Sequence, residues 1–69
     1  MSNPPKRFHI YKDAKGEWRW RLHAAGNHRQ IADSGEGYKN KQDCIAGARL
    51  VASTATGALM WDVAAEAYI

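Results

Sequence analysis

The residues best suited to chemistry are cations and histidines that alternate with apolar residues along two short stretches of the chain. In residues 7–12 and 17–24, every second side chain is polar or charged. Because a strand places successive side chains on opposite faces, both stretches are predicted to be strands, and residues 14–16 are predicted to join them as a hairpin. Their shared polar face would hold groups able to bind phosphate oxygens: Arg7, His9, Tyr11, Arg19, Arg21 and His23.

This face, called the basic face below, has two interpretations. One is nucleic-acid binding, which the net charge of +3, from 10 Lys+Arg and 7 Asp+Glu, permits without requiring. The other, which we favour, is the solvated outer surface of a sheet that is covered on one side only. Asp13 and Glu17 lie near the edge of the face and would reduce its positive potential.

Other reactive side chains give less specific signals. Cys44 is predicted in the first turns of a helix, where the dipole lowers a thiol pKa, but it falls on the apolar stripe, where cysteine packs as a small hydrophobe. The glycine-containing segment 33–37 lacks the Gly-Lys-Ser/Thr end of a phosphate loop. The 3 histidines and 1 cysteine lack the short paired spacings of zinc ligands. We therefore predict no enzyme activity, no metal and no cofactor.

The apolar face of the hairpin is predicted to be the core. Trp18 and Trp20 are in phase with the other apolar residues of both strands, so we interpret them as buried rather than as a platform for stacking bases. The hairpin register that aligns the apolar faces sets the following pairs opposite each other: Lys12 and Trp18, Ile10 and Trp20, Phe8 and Leu22.

The next elements are predicted to cover this core. Residues 29–34 form a short third strand with Ile31 pointing inward, and the glycines at 35 and 37 turn the chain across the sheet. Asn40 and Asp43 resemble a capping box at the start of a helix over residues 41–53. Tyr38 is expected to pack at the helix entry, and Leu50 lies on a flank of the helix. The apolar stripe of the helix is expected to seal the tryptophans: Cys44, Ile45, Ala48, Val51 and Ala52.

A chain of 69 residues is expected to form one domain with a core too small to be stable without help. A single cysteine excludes an internal disulfide, so self-association is the remaining source of stability. Residues 1–6 read as a flexible tail without the apolar run of a secretion signal, and no stretch approaches a membrane span. We expect a cytoplasmic protein without membrane contact. The segment 58–69 is ambiguous, with local propensities slightly favouring helix over strand.

Four blocks of the sequence, in order, resemble the YegP-like family of small bacterial and archaeal proteins of unknown function. The resemblance runs from Phe8 to about Ala64, and the blocks are residues 8–13, residues 16–22, residues 31–38, and Cys44-Ile45 with Gly47 and Val51. It implies a β3-α-β unit, present as a tandem repeat or once per chain in a homodimer. In the family, these units form a joint sheet and exchange their C-terminal strands.

The resemblance implies an α+β fold for residues 7–64, with an antiparallel sheet covered on one face by one helix. Ala58, Met60, Asp62 and Val63 match the family's last strand, so residues 58–64 are predicted to be a strand exchanged with a twin, and residues 65–69 to be an extension. A helical tail folded onto its own monomer is the competing structure. The turn at residues 26–28 is one residue longer than usual in the family, and the position of Leu50 is more often polar.

These features predict a binding or scaffolding module that acts through protein association as a homodimer. A second, different protein is a further possible partner. The alternatives are nucleic-acid binding through the basic face and, on size alone, a mobile-element accessory protein that inhibits a larger host complex. The partner interface is predicted at apolar residues beyond the needs of a monomer core: Leu50, Leu59, Met60, Trp61, Val63, Tyr68 and Ile69.

Overall fold

The protein consists of a three-stranded sheet, one helix and a separate two-stranded hairpin. The computed structural model describes residues 6–26 and 29–69, so the predicted tail before Lys6 and two residues of the predicted turn, Asn27 and His28, lie outside the described residues. The elements, in chain order, are β1 Arg7–Lys12, β2 Trp18–His23, β3 Gln30–Asp33, α1 Lys41–Ala55, β4 Trp61–Asp62 and β5 Ala67–Tyr68. The sheet order is β1-β2-β3, all antiparallel, which confirms the predicted α+β class.

The β1–β2 hairpin has the register that the apolar pattern predicts, with Ile10 opposite Trp20. Gly16 adopts a φ of +83°, the left-handed conformation that the short loop requires. The Asp13 carboxylate organises the turn by accepting hydrogen bonds from the amides of Lys15 at 2.9 Å and Glu17 at 3.0 Å. Its other oxygen accepts from Arg19 Nε at 2.6 Å, so one side chain ties the loop to β2.

Strand β3, Gln30–Asp33, is shorter than the predicted strand over residues 29–34, and one of its side chains has the opposite orientation. Leu22 pairs with Ala32 and His23 pairs with Gln30, so Ile31 is the extra residue of a β-bulge. The bulge reverses the alternation, and Ile31 is 61% exposed while Ala32 packs against the core. The prediction that Ile31 points inward is therefore wrong.

Helix α1 covers the sheet and buries Trp20, whereas Trp18, predicted to be sealed with it, is only partly buried at the edge of the core. Its N-cap is Asn40, whose Oδ1 accepts from the amide of Asp43 at 2.9 Å, as the capping-box pattern predicts. The helix ends at Ala55, two residues beyond the predicted end. Cys44 and Ala48 are buried against Trp20, whose ring meets Phe8 edge to face at 5.3 Å. Ala52, predicted on the buried stripe, is exposed because the helix extends beyond the sheet it covers.

Tyr38 joins the sheet to the helix entry, where its packing was predicted. Its backbone exchanges two hydrogen bonds of 2.7 Å with Trp18, which fixes the start of the helix beside β2. The phenol ring lies across Gly47, where an added Cβ would come within 2.6 Å of the Tyr38 hydroxyl. Gly47 is therefore required by close packing and not by backbone conformation.

The tail forms neither the single strand nor the helix that the sequence offered. Only Trp61–Asp62 is a strand within residues 58–64, and it pairs with Ala67–Tyr68 through a four-residue loop. In this hairpin, called the tail hairpin below, no Cα atom of β4 or β5 lies within 8 Å of a Cα atom of β1, β2, β3 or α1. A continuous strand needs a neighbouring strand edge, and the tail of a single chain finds only its own.

We predict that Gly47→Ala lowers the free energy of unfolding by about 1 kcal/mol. The overpacking cost, typically about 1–3 kcal/mol, exceeds the gain of about 1 kcal/mol that alanine brings to a helix. Thermal unfolding followed by circular dichroism would show a drop in Tm of about 4–8 °C. The matched control is Gly47→Ala in a Tyr38→Phe background, where the nearest remaining ring atom lies at 3.1 Å and the loss should shrink. A Tm that rises equally in both backgrounds would contradict the packing role.

We also predict a pH dependence for the Asp13 turn. The hydrogen bond from Arg19, followed by the amide of Glu17, holds the pKa of Asp13 below its ordinary value of 3.8. The carboxylate therefore stabilises the fold fully above pH 3.8, and this contribution disappears as the pH falls through the lowered pKa. Asp13→Asn should unfold at a lower Tm than the parent at neutral pH, and the difference should shrink in acid. A difference that stays constant over the pH series would contradict the assignment.

Candidate functional site

The basic face exists as predicted, because the strand register brings its six members together. Arg7 pairs with His23, His9 with Arg21, and Tyr11 with Arg19 across β1 and β2. These side chains lie on the side of the sheet opposite the core residues. The face is the first candidate for ligand binding. The positive charge that it offers to a ligand depends on which of its cations already have partners within the chain.

Much of the charge on the basic face is already used within the chain. Arg19 donates to the Asp13 carboxylate, and this bond raises the pKa of the guanidinium. The Arg21 guanidinium lies 4.2 Å from the centre of the Tyr11 ring, in a cation–π contact. Arg7 Nε donates to His9 Nε2 at 2.9 Å. The face therefore presents Arg7 and Arg21 as its main cations, with Arg19 neutralised.

The two histidines of the basic face form a stacked pair. The rings of His9 and His23 are 4.1 Å apart with 9° between their planes. Both ring nitrogens of His23 lack accessible surface and have no hydrogen-bond partner among the described residues. His9 Nε2 accepts from Arg7, so that nitrogen carries no proton in this arrangement. The pair consequently packs β1 against β2 and offers little to a ligand.

Cys44 is unsuitable as a nucleophile in the folded protein. Its side chain is fully buried between the helix and Trp20, and burial raises the pKa of the thiol. Both effects oppose formation of an accessible thiolate. The inert-core interpretation of the sequence therefore agrees with the packing.

The segment 33–37 is organised as a bend. The amide of Gly35 donates to Asp33 Oδ1 at 2.9 Å, and Ser34 Oγ donates to the carbonyl of Glu36 at 2.9 Å. An anion would need backbone amides that point outward, and the Gly35 amide is already paired. Gly37 packs on Glu17, where a Cβ would contact the carboxylate. Within the described residues, no three His, Cys, Asp or Glu side chains gather as metal ligands.

All seven residues of the predicted partner interface are exposed in the single chain, from 51% for Trp61 to 81% for Ile69. Leu50 borders an open hollow on the helix, of about 380 Å³, together with Val51, Thr54 and Ala55. In the tail hairpin, Trp61 and Tyr68 meet edge to face at 4.9 Å. The exposed Leu59, Met60, Val63 and Ile69 surround this pair in the sequence. The hollow and the tail hairpin are two apolar surfaces without a partner in the described part of the chain.

Two features of the surface were missed by the sequence reasoning. One is Ile31, whose exposure depends on a bulge that no residue pattern announces. The other is the presence of two lysines near Trp18: Lys12 Nζ lies 5.6 Å and Lys41 Nζ 5.3 Å from the centre of its ring. The predicted register placed Lys12 beside Trp18, but the arrival of Lys41 depends on how the helix crosses the sheet. Within residues 6–26 and 29–69, no helix has the length and apolar character needed to cross a membrane.

Comparison with known proteins shows similarity over most of the chain. The family DUF1508, described as a domain of unknown function, matches residues 13–62. Two proteins of Neisseria meningitidis, UPF0339 protein NMB1088 from serogroup B and UPF0339 protein NMA1193/NMA1859 from serogroup A, are each 62% identical over 47 residues. Each alignment covers 68% of this chain and 80% of the relative.

A solved structure has the same fold. It is the NMR solution structure of a protein from Haloferax volcanii, 35% identical, with a TM-score of 0.75. The similarity covers 87% of this chain and 98% of the archaeal one. The family match and the identity to the bacterial relatives agree with the four sequence blocks described above, and the chain belongs to the DUF1508 family, the YegP-like group of small proteins of unknown function.

Proposed function

We propose that the protein is a non-catalytic association module that acts as a homodimer, in which the tail of each copy packs against the body of the other. The observation that carries this proposal is the tail hairpin. The exposed residues Leu59, Met60, Val63 and Ile69 lie in or beside it, and no Cα atom of β4 or β5 comes within 8 Å of a Cα atom in β1, β2, β3 or α1. Apolar side chains displayed together on one small chain are typical of an interaction site.

The energy balance of the fold supports the same proposal. Among the described residues, the buried core consists of Trp20, Cys44 and Ala48, with partly buried apolar neighbours packed against it. A core of this size supplies only a few kcal/mol. Burying one large apolar side chain contributes about 1.5–3 kcal/mol, so docking a few tail residues on a second copy would add stability comparable to that of the whole core.

The hollow on α1 is the receiving surface that we propose. It lies on the C-terminal half of the helix, and its lining residues Leu50, Val51, Thr54 and Ala55 are nearly all apolar in the atoms they expose. Leu50 is 66% exposed beside the hollow, so a partner that docks there would remove its apolar surface from water. The family resemblance implies exchange of C-terminal segments between copies, which supports docking of each tail on the body of a twin.

We predict that Leu50→Lys weakens the dimer about tenfold or more, because a charge in the hollow must be desolvated when the tail docks. Sedimentation equilibrium at several protein concentrations measures the dissociation constant. Ala46→Lys is the matched control, since it adds the same charge at another exposed position of the same helix. Both variants should keep the circular-dichroism spectrum of the parent. A parent protein that sediments as a monomer at micromolar concentration would refute the proposed function.

Nucleic-acid binding through the basic face is the second candidate function. The observation in its favour is the register, which gathers Arg7, Arg21 and Tyr11 on one open side of the sheet. Arginine and tyrosine together suit a strand of phosphates and bases. The pairing of Arg19 with Asp13 counts against it, because it removes one of the three arginines from the field.

The prediction for this candidate is that Arg21→Ala weakens binding of single-stranded DNA or RNA and lowers the salt dependence by about one unit of slope. Fluorescence anisotropy at low and rising salt provides the measurement. Arg49→Ala removes the same charge from an exposed position on the helix and should change binding less. Equal effects of the two variants, or an absence of binding at low salt, would eliminate this candidate.

A further inference from the structure

Charge is divided unevenly along this chain. All 10 Lys and Arg residues lie between Lys6 and Arg49, together with five of the seven Asp and Glu. Residues 50–69 contain the other two acids, Asp62 and Glu66, and no Lys, Arg or His. The tail hairpin is therefore negative, while the body is strongly positive. If the tail docks on a second copy, this difference directs it toward a cationic part of that copy.

The two tail acids differ in what they do locally. Asp62 Oδ1 accepts from the amide of Ala65 at 3.1 Å, so this carboxylate shapes the loop of the tail hairpin. Glu66 occupies the last loop position with a φ of +52°, a left-handed conformation that glycine or asparagine adopts more readily. A long acidic side chain is thus kept at a position that disfavours it, at the tip of the hairpin. Glu66 is the charge that the tail presents outward.

The body offers a matching site at Trp18. The ammonium groups of Lys12 and Lys41 lie 5.6 and 5.3 Å from the centre of the same indole ring. Neither lysine has a carboxylate within ion-pair distance in the described part of the chain, where Asp13 is taken by Arg19. The nearest acid along the helix, Asp43, accepts from Asn40 Nδ2 at 2.8 Å. Two ammonium groups near one ring, neither with a carboxylate partner, make the local potential positive, and this favours the approach of an anion.

We propose that Glu66 of one copy binds Lys12 and Lys41, the two lysines near Trp18, of a second copy, and that this contact selects the twin's body as the docking surface of the tail. The inference rests on the proposed homodimer and adds its electrostatic recognition. Burial of apolar side chains supplies most of the binding free energy of the tail, and the ion pairs determine the surface to which it binds. The basic face contributes less, because Arg19 is neutralised and Arg7 and Arg21 are engaged with His9 and Tyr11.

Charge reversal in the full-length protein provides the test. One variant carries Lys12→Glu and Lys41→Glu, a second carries Glu66→Lys, and a third combines all three changes. In the first variant the tail and the pair site are both negative, and in the second both are positive. Each should raise the dimer dissociation constant about tenfold at low salt, because the contact is lost twice in a symmetric dimer. The combined variant should recover most of the parent affinity.

Mixing the first two variants gives an independent readout. Each of the two docking contacts in a mixed dimer joins opposite charges, so native mass spectrometry should show the mixed dimer in excess over both homodimers. Glu36→Lys makes the same charge change at an exposed residue of the body and should leave the dissociation constant unchanged. Raising the salt concentration should reduce all the differences.

The possible outcomes distinguish failure of the Glu66 contact from failure of the proposed homodimer. If the parent dimerises and the reversed variants dimerise equally well, the Glu66 contact is wrong while the proposed function stands. If both reversed variants dissociate but the combined variant does not recover, the effects are structural and the contact is again wrong. If the parent is monomeric, the proposed function fails and the contact fails with it.

Discussion

The structure depends on the burial of Trp20 between the sheet and helix α1. The indole is 5% exposed, meets Phe8 edge to face, and is covered by Cys44 and Ala48. Its ring nitrogen is buried without a hydrogen-bond partner among the described residues. The free energy gained from apolar packing therefore exceeds the cost of this unpaired donor. The turn at Asp13 and the bridge between Tyr38 and Trp18 position the strand and the helix around this ring.

One buried ring under one short helix leaves the rest of the apolar surface without cover. The helix continues to Ala55, and Leu50, on its flank, is exposed beside the hollow. The chain then continues into a hairpin whose two strands lie apart from β1, β2, β3 and α1. In the proposed homodimer, the tail hairpin of one copy packs against the hollow of the other, so both apolar surfaces are removed from water. The distribution of charge follows the same division, with the cations on the body and Glu66 at the tip of the tail.

The parts of the fold that could be predicted from the sequence are those set by local periodicity. The alternation around Trp18 and Trp20 fixes both strands and their register, and the Asn40–Asp43 pattern marks the start of the helix. The inward orientation of Ile31 was wrong because a bulge changes the alternation at a point that depends on the neighbouring strand. The tail was predicted as one strand because the family pattern describes a segment that pairs with another chain.

The candidate site could be predicted only in part, for a similar reason. The register placed all six members of the basic face, but their partners come from other elements: Asp13 reaches Arg19 from the turn, and Lys41 reaches Trp18 from the helix. The most direct test of the account is an isotope-filtered nuclear Overhauser experiment on a mixed sample of labelled and unlabelled protein. The account predicts intermolecular contacts between the methyl groups of Leu50 and the side chains of Met60 and Val63. Contacts from these tail residues only to their own chain, or to neither body, would contradict it.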